Sequence, residues 1–333
     1  MTPTTMKRAA TRAPKATPER VMRKYELAVV PPYRLDLTVS ALRRLSTNIV
    51  DLFTPEGVYM RALAVADALV VVRVRQAAKA HALSVAIEGD ARNDAAVLRL
   101  VGRMLGADVD LGKFYRRVAS VPWLAPLVKR MRGVKPPRYP SLWEACVNAV
   151  VFQQISVHAA STVMHRLTMS LGRSLQADDV PIPLYLFPDP ESVRRATDHR
   201  LRTAGLSVNK IATLRRVAEA LLSGALDASA LERCTSPDAA AMLRQIKGIG
   251  PWTATIILLR GLGRLDVFPA NDSSVANNVA SVAGSKPLDV SQLVNRLGSQ
   301  RGMLYFHLLL ASLDARAEIG RASFDTRPRD PPA

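Results

Sequence analysis

Two short stretches hold the residue types that could do chemistry. Gly248-Ile249-Gly250 stands between two runs of helical character. Glycines let such a turn tighten and let a phosphate come close to the backbone. The helix that follows, with Pro251 in its first position, would point unpaired N–H groups and its positive dipole end at that phosphate. Contacts of this kind position DNA without reading its sequence. The same Gly-hydrophobic-Gly turn also joins helices that merely pack as an αα-hairpin. Further on, Leu265-Asp266-Val267-Phe268-Pro269-Ala270-Asn271-Asp272 ends on a carboxylate where a third helix is read, from about Ser273 to Val282. An Asp in that place is first of all an N-cap. A carboxylate at that place can also face a DNA-bound sugar.

Composition favours a polyanionic partner. The 333 residues include 46 Lys and Arg against 28 Asp and Glu, a formal net charge of +18, which raises the surface potential without naming the partner. The most apolar runs, Ala62–Val72 and Trp252–Leu259, fall well short of the roughly 18–20 residues that span a bilayer, so no membrane association is expected. Two cysteines, Cys146 and Cys234, are too few for a disulfide framework, a structural zinc site or a four-cysteine iron–sulfur cluster. An intracellular, DNA-associated location and a monomer working without cofactor are the expectations.

The elements that must position these residues fall into two parts. Residues 1–24 read as a disordered basic tail with Lys7, Arg8, Arg12, Lys15, Arg20, Arg23 and Lys24; an organellar transit peptide has the same look. Over 25–93 the runs Tyr25–Val30, Tyr59–Val65, Ala68–Val74 and Leu83–Glu88 predict an antiparallel sheet, with Ser40–Phe53 as a helix on one face. From 94 to 325 the period is helical, and 326–333 reads as a disordered tail. The fold class is thus α+β, an N-terminal sheet module followed by a mostly helical body. Ser141 and Glu144 have the spacing of a capping box for a helix that runs into Phe152-Gln153-Gln154-Ile155-Ser156, and Ser156 is placed to cap His158–Leu171. Ser236-Pro237-Asp238 predicts a helix start with Ser236 as N-cap, so that the two helices and their turn occupy about 237–260.

Leu243-x-x-Ile246-x-Gly248-Ile249-Gly250-x-Trp252-Thr253-Ala254, followed by Val267-Phe268-Pro269 and Asp272, resembles the helix–hairpin–helix DNA glycosylases, within them the 3-methyladenine glycosylase II (AlkA) type. The similarity extends to Phe152–Ser156, to Ala204-Gly205-Leu206-Ser207 with Lys210, and to the N-terminal module. The resemblance implies double-stranded DNA carrying a damaged base as partner, base flipping, and Asp272 as the carboxylate that stabilises an oxocarbenium-like sugar and assists water. It implies DNA contacts from Gln153, Gln154 (the wedge), Lys210, Lys247, Gly248, Ile249, Gly250 and Thr253. It implies a base pocket at Trp252, Ile256, Phe268 and Leu309. No metal is expected on side chains, although family members bind a monovalent ion through hairpin carbonyls, here those of Ile246 and Ile249.

Two departures matter. The Schiff-base lysine of bifunctional members aligns with Trp252, which argues for hydrolysis without a lyase step. Ile256 and Leu309 are aliphatic where AlkA-type pockets are aromatic, which leaves the base range open; Tyr305, Phe306 and His307 share the Leu309 helix, and His307 there reads as a core residue. Trp252 itself reads equally as pocket lining or core packing. The rivals are a glycosylase for deaminated or oxidised bases and a non-catalytic hairpin protein that only binds DNA.

Overall fold

The computed structural model describes residues 22–323 apart from 67, 78–80, 178, 179, 181, 271 and 285–288. The expected tails before residue 22 and after residue 323 lie outside the described residues. Met22–Lys24, read as the end of the basic tail, instead open the first strand. Arg23 is held there by Asp94, at 2.5 Å, an ion pair between distant segments that no local pattern announces.

Five strands form one antiparallel sheet: β1 (Met22–Ala28), β2 (Leu52–Phe53), β3 (Tyr59–Val65), β4 (Ala68–Gln76) and β5 (Ala82–Glu88), in the order β1-β5-β4-β3-β2. The β3–β4 hairpin pairs Tyr59 with Val74 and Val65 with Ala68, so the β-branched runs meet in register. Alternation sorts the side chains by face. Tyr59, Leu63, Val70, Val72, Val74, Val85 and Ile87 enter the main core, shared with the helix Leu35–Arg43. Met60, Ala62 and Val71 enter a second cluster with Leu184 and Leu186, residues beside and within the small ribbon of β6 (Ser174–Leu175) and β7 (Leu184–Tyr185).

The helix expected over Ser40–Phe53 runs instead from Leu35 to Arg43. It stops because Arg44 takes φ 63°, ψ −75°, and the chain then returns to the sheet as β2. After β5 the chain is helical, as expected, and the helices that matter for the site pack on one another. Leu142–Val151 lies against Val208–Leu222 and Pro251–Arg260, and Gly302–Asp314 lies against Leu35–Arg43 and Ser273–Ala283. No helix among the described residues is long and apolar enough to cross a membrane.

Two caps differ from expectation. Ser141 does accept the Glu144 N–H at 3.1 Å. The Glu144 carboxylate, however, turns to Arg61 Nη2 at 2.5 Å, while Arg61 Nη1 reaches Asp51 at 2.6 Å. All three are buried, and a buried guanidinium left unpaired would cost more than a free helix N–H. Burial beside Asp51 pushes the Glu144 carboxyl up to about 7 against the pull of Arg61. The triad locks the sheet to the helix that carries Phe152–Gln154. At the hairpin, Thr235 rather than Ser236 caps Ser236–Arg244; Ser236 donates to Asp266 at 3.0 Å.

Candidate active site

The hairpin consists of Ser236–Arg244, a turn, and Pro251–Arg260. The turn is held by the Ile249 N–H on the Ile246 carbonyl at 3.0 Å. Ile249 is the hydrophobic anchor, only 4% exposed, while Lys247 and Gly248 face solvent. Gly248 has φ 103°, and a Cβ there would lie 2.0 Å from Thr213 Oγ1. Gly250 has φ −87°, ψ 179° and open space around it. The two glycines therefore serve different ends: one permits the fold of the turn, the other keeps the entry to the second helix bare.

Gln153 and Lys210 hold this region together from inside. Gln153 Nε2 donates to the Gly248 carbonyl at 3.0 Å and to Thr253 Oγ1 at 2.7 Å. Lys210 Nζ donates to the carbonyls of Val151 and Gln153 at 2.8 and 3.0 Å, a cation at a helix C-terminus where the dipole favours it. Burial pulls the Lys210 ammonium below its ordinary value. Both residues were expected at the DNA; the structure gives them the prior task of tying the wedge segment to the hairpin. Gln154, next in sequence, is exposed at φ 56°, with Ile155 exposed beside it. A strained, projecting residue next to a pinned one suits a wedge.

Asp272 is 9% exposed and heads the helix Ser273–Ala283, its Oδ1 accepting the Val275 N–H at 3.4 Å. Its Oδ2 accepts the Trp252 indole N–H at 2.8 Å. Asp272 is thus an N-cap and something more. Trp252 is the second residue of the helix Pro251–Arg260, so the bond fixes the carboxylate beside the end of the hairpin that would face a phosphate. Trp252, expected as pocket lining or as core packing, turns its polar edge to the carboxylate and orients it. Among the other expected pocket residues, Phe268 is half-buried, Ile256 is buried in the core and Leu309 is 9% exposed. His307 is a core residue: Nδ1 pairs with the Met303 carbonyl at 2.8 Å, the ring packs on Phe114, and burial pulls its pKa down to about 4.

The structure adds groups that sequence reading missed. Arg44 is buried with its guanidinium 3.7 Å over the Phe152 ring. Burial would pull that cation down, yet Tyr139, Tyr305 and the Asp272 carboxylate together raise it. Burial would push the Tyr305 phenol up, and the Arg44 and Arg260 guanidiniums outweigh it, bringing it below its ordinary value. Arg260 is anchored on the carbonyls of Ala41 and Leu42, both at 2.8 Å. Asp272 therefore sits at the edge of a buried cluster that brings three segments together: the turn after Leu35–Arg43, the hairpin's second helix, and Gly302–Asp314. Among the described residues no cluster of three or more His, Cys, Asp or Glu could hold a metal ion.

Comparison with known proteins fits this arrangement. Residues 147–300 match the HhH-GPD superfamily of base excision DNA repair proteins, and residues 24–142 match the AlkA N-terminal domain. The chain carries an HhH-GPD domain behind an AlkA N-terminal domain. It is 35% identical over 136 residues to DNA-3-methyladenine glycosylase 1 of Schizosaccharomyces pombe, covering 40% of this chain and 55% of that protein. It is 27% identical over 180 residues to DNA-3-methyladenine glycosylase 2 of Escherichia coli, covering 53% of this chain and 60% of that one. The aligned part thus spans little more than half the length of either relative. Its fold is that of a 3-methyladenine DNA glycosylase from Archaeoglobus fulgidus, with a TM-score of 0.71 at 24% identity over 86% of this chain and 97% of the other.

Proposed function

We propose that this HhH-GPD chain is a monofunctional DNA glycosylase that flips an alkylated base out of the duplex and hydrolyses its N-glycosidic bond. The observation that carries the reading is the Asp272 carboxylate, buried and held by the Trp252 indole at 2.8 Å, next to a hairpin turn suited to a phosphate. Departure of the base builds positive charge on the sugar. A fixed carboxylate stabilises that charge and takes a proton from the attacking water, whose oxygen bonds to C1′. An alkylated purine is already cationic, so it leaves as a neutral molecule and needs no strong acid. Trp252 carries no amine, so no imine forms there. The names of the relatives, each a 3-methyladenine glycosylase, support the substrate class.

Gly248, Gly250 and Lys247 would meet the backbone, and Gln154 would fill the space the base vacates; Thr253, expected at the DNA, is buried and holds Gln153 from inside. A monovalent cation would be held by the hairpin carbonyls of Ile246 and Ile249; Ile246 spends one lone pair on the Ile249 N–H, and a carbonyl has two. It would add positive charge for the phosphate. The test is Asp272→Asn, assayed for free 3-methyladenine from methylated duplex and for binding to a duplex carrying an abasic-site analogue. Release should fall by at least about 10²-fold, the scale of losing a preorganised charge, with binding retained. Unchanged release would sink the assignment of Asp272 and favour a protein that only grips DNA.

A further inference from the structure

We propose that Arg216, on the helix Val208–Leu222, is a DNA-binding residue: its guanidinium takes a phosphate beside the hairpin turn, adding to the grip a cation from outside the hairpin. The proposal rests on the glycosylase reading and deepens it, because it names a charged contact that the hairpin itself does not contain.

Three observations carry it. Arg216 is exposed, and its Nη1 donates to the Lys247 carbonyl at 3.2 Å, so the guanidinium is fixed to the turn between the two hairpin helices. Thr213, about one turn earlier on the same helix, is the residue that a Cβ on Gly248 would strike, which places this helix directly against the turn. The second observation is electrostatic. Other arginines close by in sequence are met by carboxylates: Arg215 by Asp198 at 2.6 Å, and Arg194 and Arg195 by Glu191. Arg216 and the exposed Lys247 form no ion pair among the described residues, so two cations stand at one turn without a carboxylate bonded to either. Like charges left together repel, and a polyanion relieves that repulsion. The third is that the bond to the Lys247 carbonyl holds a long side chain in place before any ligand arrives, which lowers the entropy lost on binding.

The chemistry gives that cation a use. The hairpin N–H groups are neutral dipoles, which orient a phosphate but do not replace the counterions condensed on DNA; a side-chain cation does. The guanidinium spends one N–H on the Lys247 carbonyl and has others left, in a planar fork that matches two phosphate oxygens. Lys210, on the same helix, ties down the wedge segment through the carbonyls of Val151 and Gln153. The helix that would hold the phosphate thus also holds the segment that carries Gln154, so the backbone grip and the wedge share one support.

The test is binding of a labelled abasic-analogue duplex by wild type, Arg216→Gln, Arg216→Lys and Arg194→Gln across a potassium chloride series, with circular dichroism to show each variant folded. One lost phosphate contact makes the slope of log K against log salt shallower by about 0.9. R216Q should therefore bind about eightfold more weakly than wild type at about 0.1 M salt, with the gap closing towards about 1 M. R216K keeps the charge and should keep the wild-type slope. R194Q removes a charge already met by Glu191 and should keep it too. The proposal is overturned if R216Q weakens binding equally at every salt concentration, as a mere strut for the turn would, or if R194Q flattens the slope as much as R216Q, which would make net charge the cause. Either result leaves the assignment of Asp272 standing. Wild-type binding with no salt dependence overturns it as well, and with it the DNA grip on which the glycosylase reading depends.

Discussion

Replacing the two hairpin glycines by alanine, one at a time, should break two different properties. At Gly248 the new Cβ would stand 2.0 Å from Thr213 Oγ1, 2.8 Å from its Cγ2 and 2.9 Å from its Cβ, on a backbone at φ 103°. A left-handed backbone costs an L-residue about 1–2 kcal/mol, and forcing an extra methyl into a packed contact costs about 1–3 kcal/mol. G248A should therefore destabilise the fold by about 2–5 kcal/mol. Gly250, at φ −87° with nothing within 4 Å of where a Cβ would stand, accepts alanine without strain. G250A should leave stability equal or raise it by up to about 1 kcal/mol through the unfolded chain. Its methyl group stands where a phosphate would approach, so duplex affinity should drop about tenfold, about 1.4 kcal/mol. Urea denaturation and fluorescence anisotropy with a labelled duplex measure both. T213A in the G248A background clears the two closest contacts but leaves Cβ at 2.9 Å and the backbone strained, so it should restore only about 1–2 kcal/mol. If G250A lost as much stability as G248A, or bound DNA like wild type, the division of labour drawn from the turn would be wrong.

Two further perturbations follow from the site. Trp252→Phe removes the 2.8 Å indole donor to Asp272 while keeping an aromatic ring. A hydrogen bond to a charged group is worth about 1.5–3 kcal/mol, so kcat for base release should fall about 10- to 100-fold with little change in duplex binding; wild-type kcat would show that the bond does not orient the carboxylate. For His307, burial holds the folded-state pKa at about 4, below the ordinary imidazole value of about 6.5. Between those values the unfolded chain takes the proton and the folded one does not, so stability present above pH 6.5 is lost as pH falls towards 4, by up to about 3 kcal/mol. Urea midpoints for wild type and His307→Leu at pH 7 and 4.5 check this, and equal acid sensitivity in both would contradict it.

What was legible in the sequence was whatever local pattern controls. The β-branched runs became β3, β4 and β5, the glycines fixed the hairpin, and Asp272 stood where a helix had to begin. The misreadings share one cause, a polar side chain claimed by a distant segment. Glu144 had capping-box spacing but was taken by Arg61. Ser236 had the look of an N-cap but turned to Asp266, leaving Thr235 to cap. Arg43 and Arg44 fell inside the helix expected over Ser40–Phe53. Instead Arg43 closes on Arg321 and Ser323, and Arg44 lies within the electrostatic reach of Asp272 and Tyr305. Sequence distance hides such contacts, because nothing in the sequence next to Arg44 distinguishes a buried guanidinium from a solvated one.

That placement bears on how the Asp272→Asn test is to be judged. Arg44 and Arg260 both press on Tyr305, and Asp272 is a carboxylate that offsets Arg44. Turning it into an amide leaves a buried cation less well compensated, and uncompensated buried charge is destabilising. Some loss of stability in that variant is therefore expected whether or not the carboxylate performs chemistry. The same change makes the site more positive, which should hold a polyanion at least as tightly. Retained or tightened binding to the abasic-analogue duplex, alongside lost base release, separates a missing catalytic group from a damaged fold in a way that a melting temperature does not.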